Sequence, residues 1–254
     1  MISVVSEDVF ADLAAEQAEL DAVLVDMPEV GWLSPSRAAP WTVADVVLHL
    51  AQTEELALAA SHGRPPPWQR YGETVDAAMN AMVRSEAGLS PRRILARWRA
   101  ACAASRAAMR QGDPERRLLW VASTLKPSTL ATTRLAEHWA HALDITEALG
   151  IPYPDTARLW HVAWLAHGTL PYAFRLAGHQ PHPVYCELIG PDGTVWTFGD
   201  PYVRSTITGP AAAFCRVAVQ RLPPDESGLD TTGPHAEAAL HVLRTYAVTT
   251  VEPS

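Results

Sequence analysis

Lysine is almost absent from this 254-residue chain: Lys126 is the only one, and arginine carries nearly all the positive charge. Acidic residues are in excess, 28 Asp and Glu against 20 Lys and Arg, for a formal charge of −8. That balance argues against non-specific nucleic-acid binding, which needs a basic footprint. Cysteine is scarce too. Cys102, Cys186 and Cys215 are odd in number, far apart and form no C-x-x-C pair. Neither a disulfide framework nor a cysteine metal site is expected, and the three read as small buried hydrophobes. No apolar run approaches the ~20 residues that span a bilayer, so no membrane partner is expected. The opening MISVVSEDVF lacks the basic and apolar regions of a signal peptide, which predicts a cytoplasmic chain. There is no internal repeat and no low-complexity segment.

What is present is a chain able to bury a core. Hydrophobic residues make up 48%, and the length suits one large domain or two of ordinary size. The first half reads as helices. Ser6 is a candidate cap for a helix reaching Met27, with Val9, Phe10, Leu13, Leu20, Val23 and Leu24 near helical spacing. After the turn-rich stretch from Gly31 to Pro40, Thr42 to Asp45 forms a capping box that should open a helix to Ser61. A weaker helix is expected from Glu73 to Glu86. Ser90-Pro91 should open another, ending near Arg110, and an irregular segment should lead to a long helix from Ser128 to Leu149. Gly150 and Pro152 supply stop chemistry. Antiparallel packing of the four principal helices into a bundle over residues 1–150 is the economical solution.

Asp155 is expected to cap a connecting helix within 151–180. The character then changes. Val184 to Ile189 reads as a strand, Gly190-Pro191-Asp192-Gly193 as a turn, Thr194 to Phe198 as the returning strand, and Val203 to Thr208 as a third. Gly209-Pro210 and Pro234 should open two further helices. Residues 181–254 therefore make a small α+β unit, and the chain as a whole is α+β.

The chemistry concentrates in Arg134-Leu135-Ala136-Glu137-His138-Trp139-Ala140-His141-Ala142-Leu143-Asp144-Ile145. Glu137 and His141 are one helical turn apart on one face, with Asp144 on the same stripe. Such a pair offers a divalent metal two ligands from one rigid element, and a third must come from another helix. His49 is the best candidate, since it interrupts the apolar stripe Val46-Val47-Leu48-His49-Leu50 and must there find a partner. Asp144 is placed to receive the ring N–H of a ligating histidine. His138 lies about 100° round the helix from Glu137 and should face away. Spacing alone leaves two other readings open: a surface ion pair for Glu137 and His141, and a hydrogen-bonded core histidine for His49.

Two stretches carry a resemblance. Trp41-Thr42-Val43-Ala44-Asp45-Val46-Val47-Leu48-His49-Leu50 is similar to a W-T-V-x-D-x-x-x-H-L signature, and Arg134 to Ile145 to an R-x-x-E-x-W-x-H-x-x-D-[IV] signature. Both belong to the mycothiol-dependent maleylpyruvate isomerase family, within the wider DinB-like superfamily of metal-binding four-helix bundles. GPDGTVWTFG and TGPAAAFCRVAVQR resemble the smaller domain of a related actinobacterial subfamily. The resemblance implies His49, Glu137 and His141 as ligands, with Asp144 near the site and a sterol-carrier-like C-terminal domain. It also implies a low-molecular-weight thiol, mycothiol, as co-substrate. One segment departs: a Gly-Pro-Pro-Met stretch of that subfamily is replaced by Val121-Ala122-Ser123-Thr124-Leu125-Lys126-Pro127.

The expectation is thus a metal- and thiol-dependent isomerase or S-transferase acting on an electrophilic small molecule. Zinc is the favoured ion, and nickel and iron suit the same donors. Asp144 is a candidate for a catalytic role, and Arg84 and Arg134 are candidates for holding a substrate carboxylate. Two alternatives stand beside it. One is a thiol-independent, metal-dependent tailoring enzyme such as a cyclase or lyase. The other is a non-catalytic binder of an apolar ligand with a structural metal, for which Trp160, Trp164 and Trp196 are the candidate lining. The reading is compatible with a homodimer.

Overall fold

The computed structural model describes residues 8–64, 68–121 and 123–246. Ser6, the expected first cap, lies outside them. Helix α1 (Val9–Val25) is capped by Asp8, whose Oδ1 accepts from the amides of Phe10 at 3.1 Å and Ala11 at 3.2 Å. A carboxylate there satisfies otherwise unpaired amides and complements the helix dipole. A short helix, α2 (Glu29–Trp32), interrupts the turn-rich stretch.

The capping box then opens α3 (Val43–Ser61). The Asp45 amide donates to Thr42 Oγ1 at 3.2 Å, and the Thr42 amide to Asp45 Oδ2 at 2.9 Å. This reciprocal pair sets where the helix begins, and so which face His49 occupies two turns later. Next come α4 (Val75–Ser85) and α5 (Pro91–Gln111). Ser90 contributes its backbone carbonyl to α5, accepting from Arg93 and Ile94, and no side-chain cap. The segment expected to be irregular holds an antiparallel hairpin, β1 (Leu118–Trp120) and β2 (Ser123–Leu125), with Leu118 opposite Leu125. The long helix α6 (Pro127–Leu149) ends at Gly150, whose φ of 67° is the left-handed conformation that glycine adopts without a Cβ penalty.

The described residues form two compact units, 8–153 and 154–246. In the first, α1, α3, α5 and α6 pack on one another as a four-helix bundle, with α4 and the hairpin laid on α3. Its core holds Leu20, Leu24, Val46, Val47, Leu50, Trp98 and Ile145, all buried. Each such aliphatic chain contributes about 1.5–3 kcal/mol on burial. Most of α6 is buried, which explains its many alanines and threonines: small side chains let three neighbours approach it.

The second unit contains α7 (Leu159–Leu176), β3 (Tyr185–Ile189), β4 (Val195–Phe198), β5 (Thr206–Pro210), α8 (Ala211–Ala218), β6 (Asp230–Thr232) and α9 (Ala236–Val242). The sheet runs β4-β3-β5-β6, with β3 and β5 parallel and the other pairs antiparallel. Cys186, Leu188, Trp196, Phe198 and Ile207 alternate inward, and α7, α8 and α9 pack against the strands. α7 packs on α8 and α9, and its buried residues include Val162, Ala166, Leu170 and Phe174. Asp155 does not cap it: its carboxylate accepts from Arg216 at 3.0 Å, and α7 starts without a side-chain cap. Gly209 and Pro210 finish β5, so the third strand lies later than Val203 to Thr208 and α8 opens at Ala211. Trp196 is buried, Trp160 half-buried against the Phe198 ring, and Trp164 exposed. Among the described residues no helix is long and apolar enough to cross a membrane.

Candidate metal centre

Helices α3 and α6 bring three donor atoms together. His49 Nε2 lies 3.9 Å from Glu137 Oε2, and His141 Nε2 lies 3.6 Å from the same oxygen. The donor atoms of the three residues all lie within 4.8 Å of one another. Both histidines are buried and Glu137 is half-buried, so the cluster is sunk into the bundle yet reachable on one side. Two imidazole nitrogens and one carboxylate oxygen make a donor set that suits a divalent first-row ion. Three protein ligands leave coordination positions open, as catalytic sites do and closed structural sites do not.

Local structure explains the convergence. Glu137 and His141 share one face of α6 by their spacing, and the capping box sets His49 on the α3 face that meets α6. Asp144, one turn beyond His141, is buried, and its Oδ2 accepts from His141 Nδ1 at 2.9 Å. That bond selects Nε2 of His141 as the free nitrogen facing Glu137.

The electrostatics suit ligation at His49 and Glu137. Burial pulls His49 down to about 4, against the hydrogen bond and charge of Glu137. Burial alone would raise Glu137, but hydrogen bonds from His141 and His49, with the charge of Arg134, hold it well below the usual carboxylate range. His141 is raised in spite of burial, through Asp144 and Glu137. His49 is therefore neutral and Glu137 ionised at neutral pH, the states in which each donates a lone pair to a cation.

The other expected site residues fall in different places. Arg84 is exposed in the last turn of α4 and makes no hydrogen bond to the three donors. Arg134 is buried beside them, but its guanidinium is committed elsewhere: Nε donates to Glu54 Oε1 at 2.8 Å and Nη2 to Thr53 Oγ1 at 2.7 Å. The Trp120 ring lies 5.9 Å from its Cζ. His138 faces the bundle interior. Its Nδ1 donates to the Arg134 carbonyl at 2.8 Å, and its Nε2 accepts from Trp98 Nε1 at 3.1 Å.

A polar network behind the centre was not anticipated. Glu54 is fully buried, paired with Arg134 and hydrogen-bonded by Ser105. It sits in the polar run Gln52-Thr53-Glu54-Glu55, which gives no local sign of burial. Also missed was Trp41, which lies against the His49 ring with centroids 4.8 Å apart and donates from Nε1 to Asn80 Oδ1 at 2.9 Å. Its place just before the capping box was the available signal, since an apolar residue there folds back along the helix.

The Mycothiol maleylpyruvate isomerase N-terminal domain model matches residues 13–146. Two relatives, uncharacterized proteins from two strains of Mycobacterium tuberculosis, are 31% identical over 246 residues, covering 93% of this chain and 94% of each relative. Two crystal structures share the fold, a mycothiol-dependent maleylpyruvate isomerase and a histidine-to-alanine mutant of that enzyme. Their TM-scores are 0.62 and 0.60 at 16% identity, over 90% of this chain and 95% of theirs.

Proposed function

The chain belongs to the mycothiol maleylpyruvate isomerase family, and on that premise we propose that His49, Glu137 and His141 hold a divalent ion, zinc in the first instance. We assign the centre to activation of a low-molecular-weight thiol, mycothiol, for attack on an electrophilic small molecule. The observation that carries this reading is the convergence of three donor atoms within 4.8 Å, from two helices, at a half-buried carboxylate. When bound, such an ion supplies a Lewis acid that lowers the pKa of a thiol held in an open position.

The chain's own residues do the rest. Asp144 holds the His141 ring in orientation. Hydrogen bonds from His141 and His49 hold Glu137 ionised, and the charge of Arg134, anchored by Glu54, adds to them. In the isomerisation, the thiolate adds to one alkene carbon and the electron pair moves onto the conjugated carbonyl. The former double bond then rotates, and expulsion of the thiolate restores it in the trans geometry. The thiol is regenerated and nothing is oxidised or reduced. Addition without expulsion makes the same site an S-transferase.

The test is to follow zinc-loaded protein with mycothiol and maleylpyruvate by absorbance and chromatography. The trans isomer or a stable thiol adduct should form only when protein, metal and thiol are all present, and not with His49→Ala. Conversion that ignores the thiol would contradict the thiol assignment.

A further inference from the structure

The two imidazoles of the centre are held in different ways. His141 has its second nitrogen tied to Asp144 at 2.9 Å. His49 does not: its Nδ1 is buried and has no hydrogen-bond partner among the described residues. A metal-binding histidine ordinarily donates its other ring N–H to an acceptor, and that bond sets the ring's orientation. On the Nδ1 side, the ring of His49 is held by packing.

The packing partner is Trp41. Its ring centroid lies 4.8 Å from that of His49 at a 39° tilt, and 6.2 Å from that of His141. The first distance falls where tilted aromatic pairs attract beyond simple area burial. The edge of His141 completes the enclosure, with centroids 5.0 Å apart at 73°.

Trp41 is itself pinned at both ends. Its carbonyl accepts from the Ser36 amide at 2.9 Å and the Ser36 hydroxyl at 2.8 Å, and its amide donates to the Ala38 carbonyl at 3.0 Å. At the far end, the indole Nε1 donates to Asn80 Oδ1 at 2.9 Å. Asn80 is oriented in turn, because its Nδ2 donates to the Asp76 carbonyl at 2.9 Å within α4. A chain of contacts thus runs from α4 through the indole to a ring on α3.

We propose that Trp41, locked by Asn80, is the positioning residue of His49, its indole face taking the place of the hydrogen bond that His49 Nδ1 lacks. The inference rests on the metal centre proposed above. It gives α4 a role in that centre although α4 contributes no ligand.

The test compares full-length wild type, Trp41→Phe, Trp41→Leu and Asn80→Ala. Zinc affinity is measured by chelator competition, and the visible spectrum is recorded after cobalt substitution. Trp41→Leu should weaken zinc binding by about tenfold or more, the effect of losing a group that orients a ligand, and alter the cobalt spectrum. Trp41→Phe, which keeps an aromatic face but cannot donate to Asn80, should recover part of both and stay clearly better than Trp41→Leu. Asn80→Ala, which keeps the indole and loses only its lock, should fall between wild type and Trp41→Leu. Leucine fills space as phenylalanine does, so a mere filling role would make the two variants equal, and equality would overturn the proposal. If Trp41→Leu does not fold, Asn80→Ala decides: wild-type affinity and spectrum there would overturn it. Wild type that binds no zinc would remove the centre itself before any variant is compared.

Discussion

His141 Nδ1 donates to Asp144 Oδ2 at 2.9 Å, which leaves His141 Nε2 turned toward Glu137 Oε2 at 3.6 Å. One buried carboxylate therefore determines which nitrogen of a candidate ligand is available. Asp144→Ala should weaken zinc binding about 10- to 100-fold while far-UV circular dichroism stays unchanged. Asp144→Asn should lose less, because its amide oxygen still accepts from Nδ1. Equal zinc affinity in wild type and Asp144→Ala would show that the bond does not orient a ligand.

The Glu54–Arg134 pair is almost fully excluded from solvent. Removing one partner strands the other charge in the bundle. Glu54→Ala should cost about 3–5 kcal/mol in urea denaturation, the usual effect of an uncompensated buried charge. The double variant Glu54→Leu with Arg134→Met should recover much of that, since it removes both desolvated charges together. A double variant no more stable than Glu54→Ala would mean that the network contributes packing that aliphatic chains do not replace.

Acid should weaken a second cluster. Arg97 donates to Glu55 and Glu86, with Nη2 3.1 Å from Glu86 Oε1, and Gln52 Nε2 donates to the same oxygen at 2.9 Å. The Arg97 hydrogen bond, against a smaller effect of burial, lowers Glu86 below its ordinary 4.5. A carboxylate lowered in the folded state stabilises the protein above its unfolded pKa. That contribution fades as pH falls from about 4.5 through the lowered value. Glu86 is partly exposed, so the contribution at pH 7 should be about 0.5–1 kcal/mol. Glu86→Gln should show that deficit at pH 7, and it should shrink as pH falls below about 4.5. A deficit independent of pH would assign the loss to shape.

Metal removal should be visible in the fold. An ion that binds only the folded state at a hundredfold excess over its Kd adds about 2.7 kcal/mol. Chelation should then lower the Tm by roughly 5–10 °C, reversibly on adding zinc. His49→Ala should show no such shift. A chelator-insensitive Tm in protein that carries the metal would place the ion outside the folding unit.

Parts of this structure were legible in the sequence because their causes are local. The Thr42–Asp45 box announces α3, Gly150 announces the end of α6, and Glu137 and His141 meet because α6 is a helix. The convergence of His49 with them is one step less local, and the hint was an ionisable group inside an apolar stripe. What escaped reading depends on distant partners or on very short elements. The hairpin strands Leu118–Trp120 and Ser123–Leu125 are too short to show a period. Asp155 has the chemistry of a cap, yet Arg216 competes for its carboxylate. Glu54 looks like a solvated acid until α6 lays Arg134 against it, and nothing near Trp41 in the chain announces Asn80.

On the reading given above, His49, Glu137 and His141 together hold one metal ion. The most direct measurement is metal content of the purified protein by mass spectrometry, wild type beside His49→Ala, each before and after equilibration with zinc and desalting. Wild type should carry about one equivalent and the variant far less, with both proteins folded. Folded wild type that retains no metal after zinc is offered, or a variant that retains as much as wild type, would contradict it.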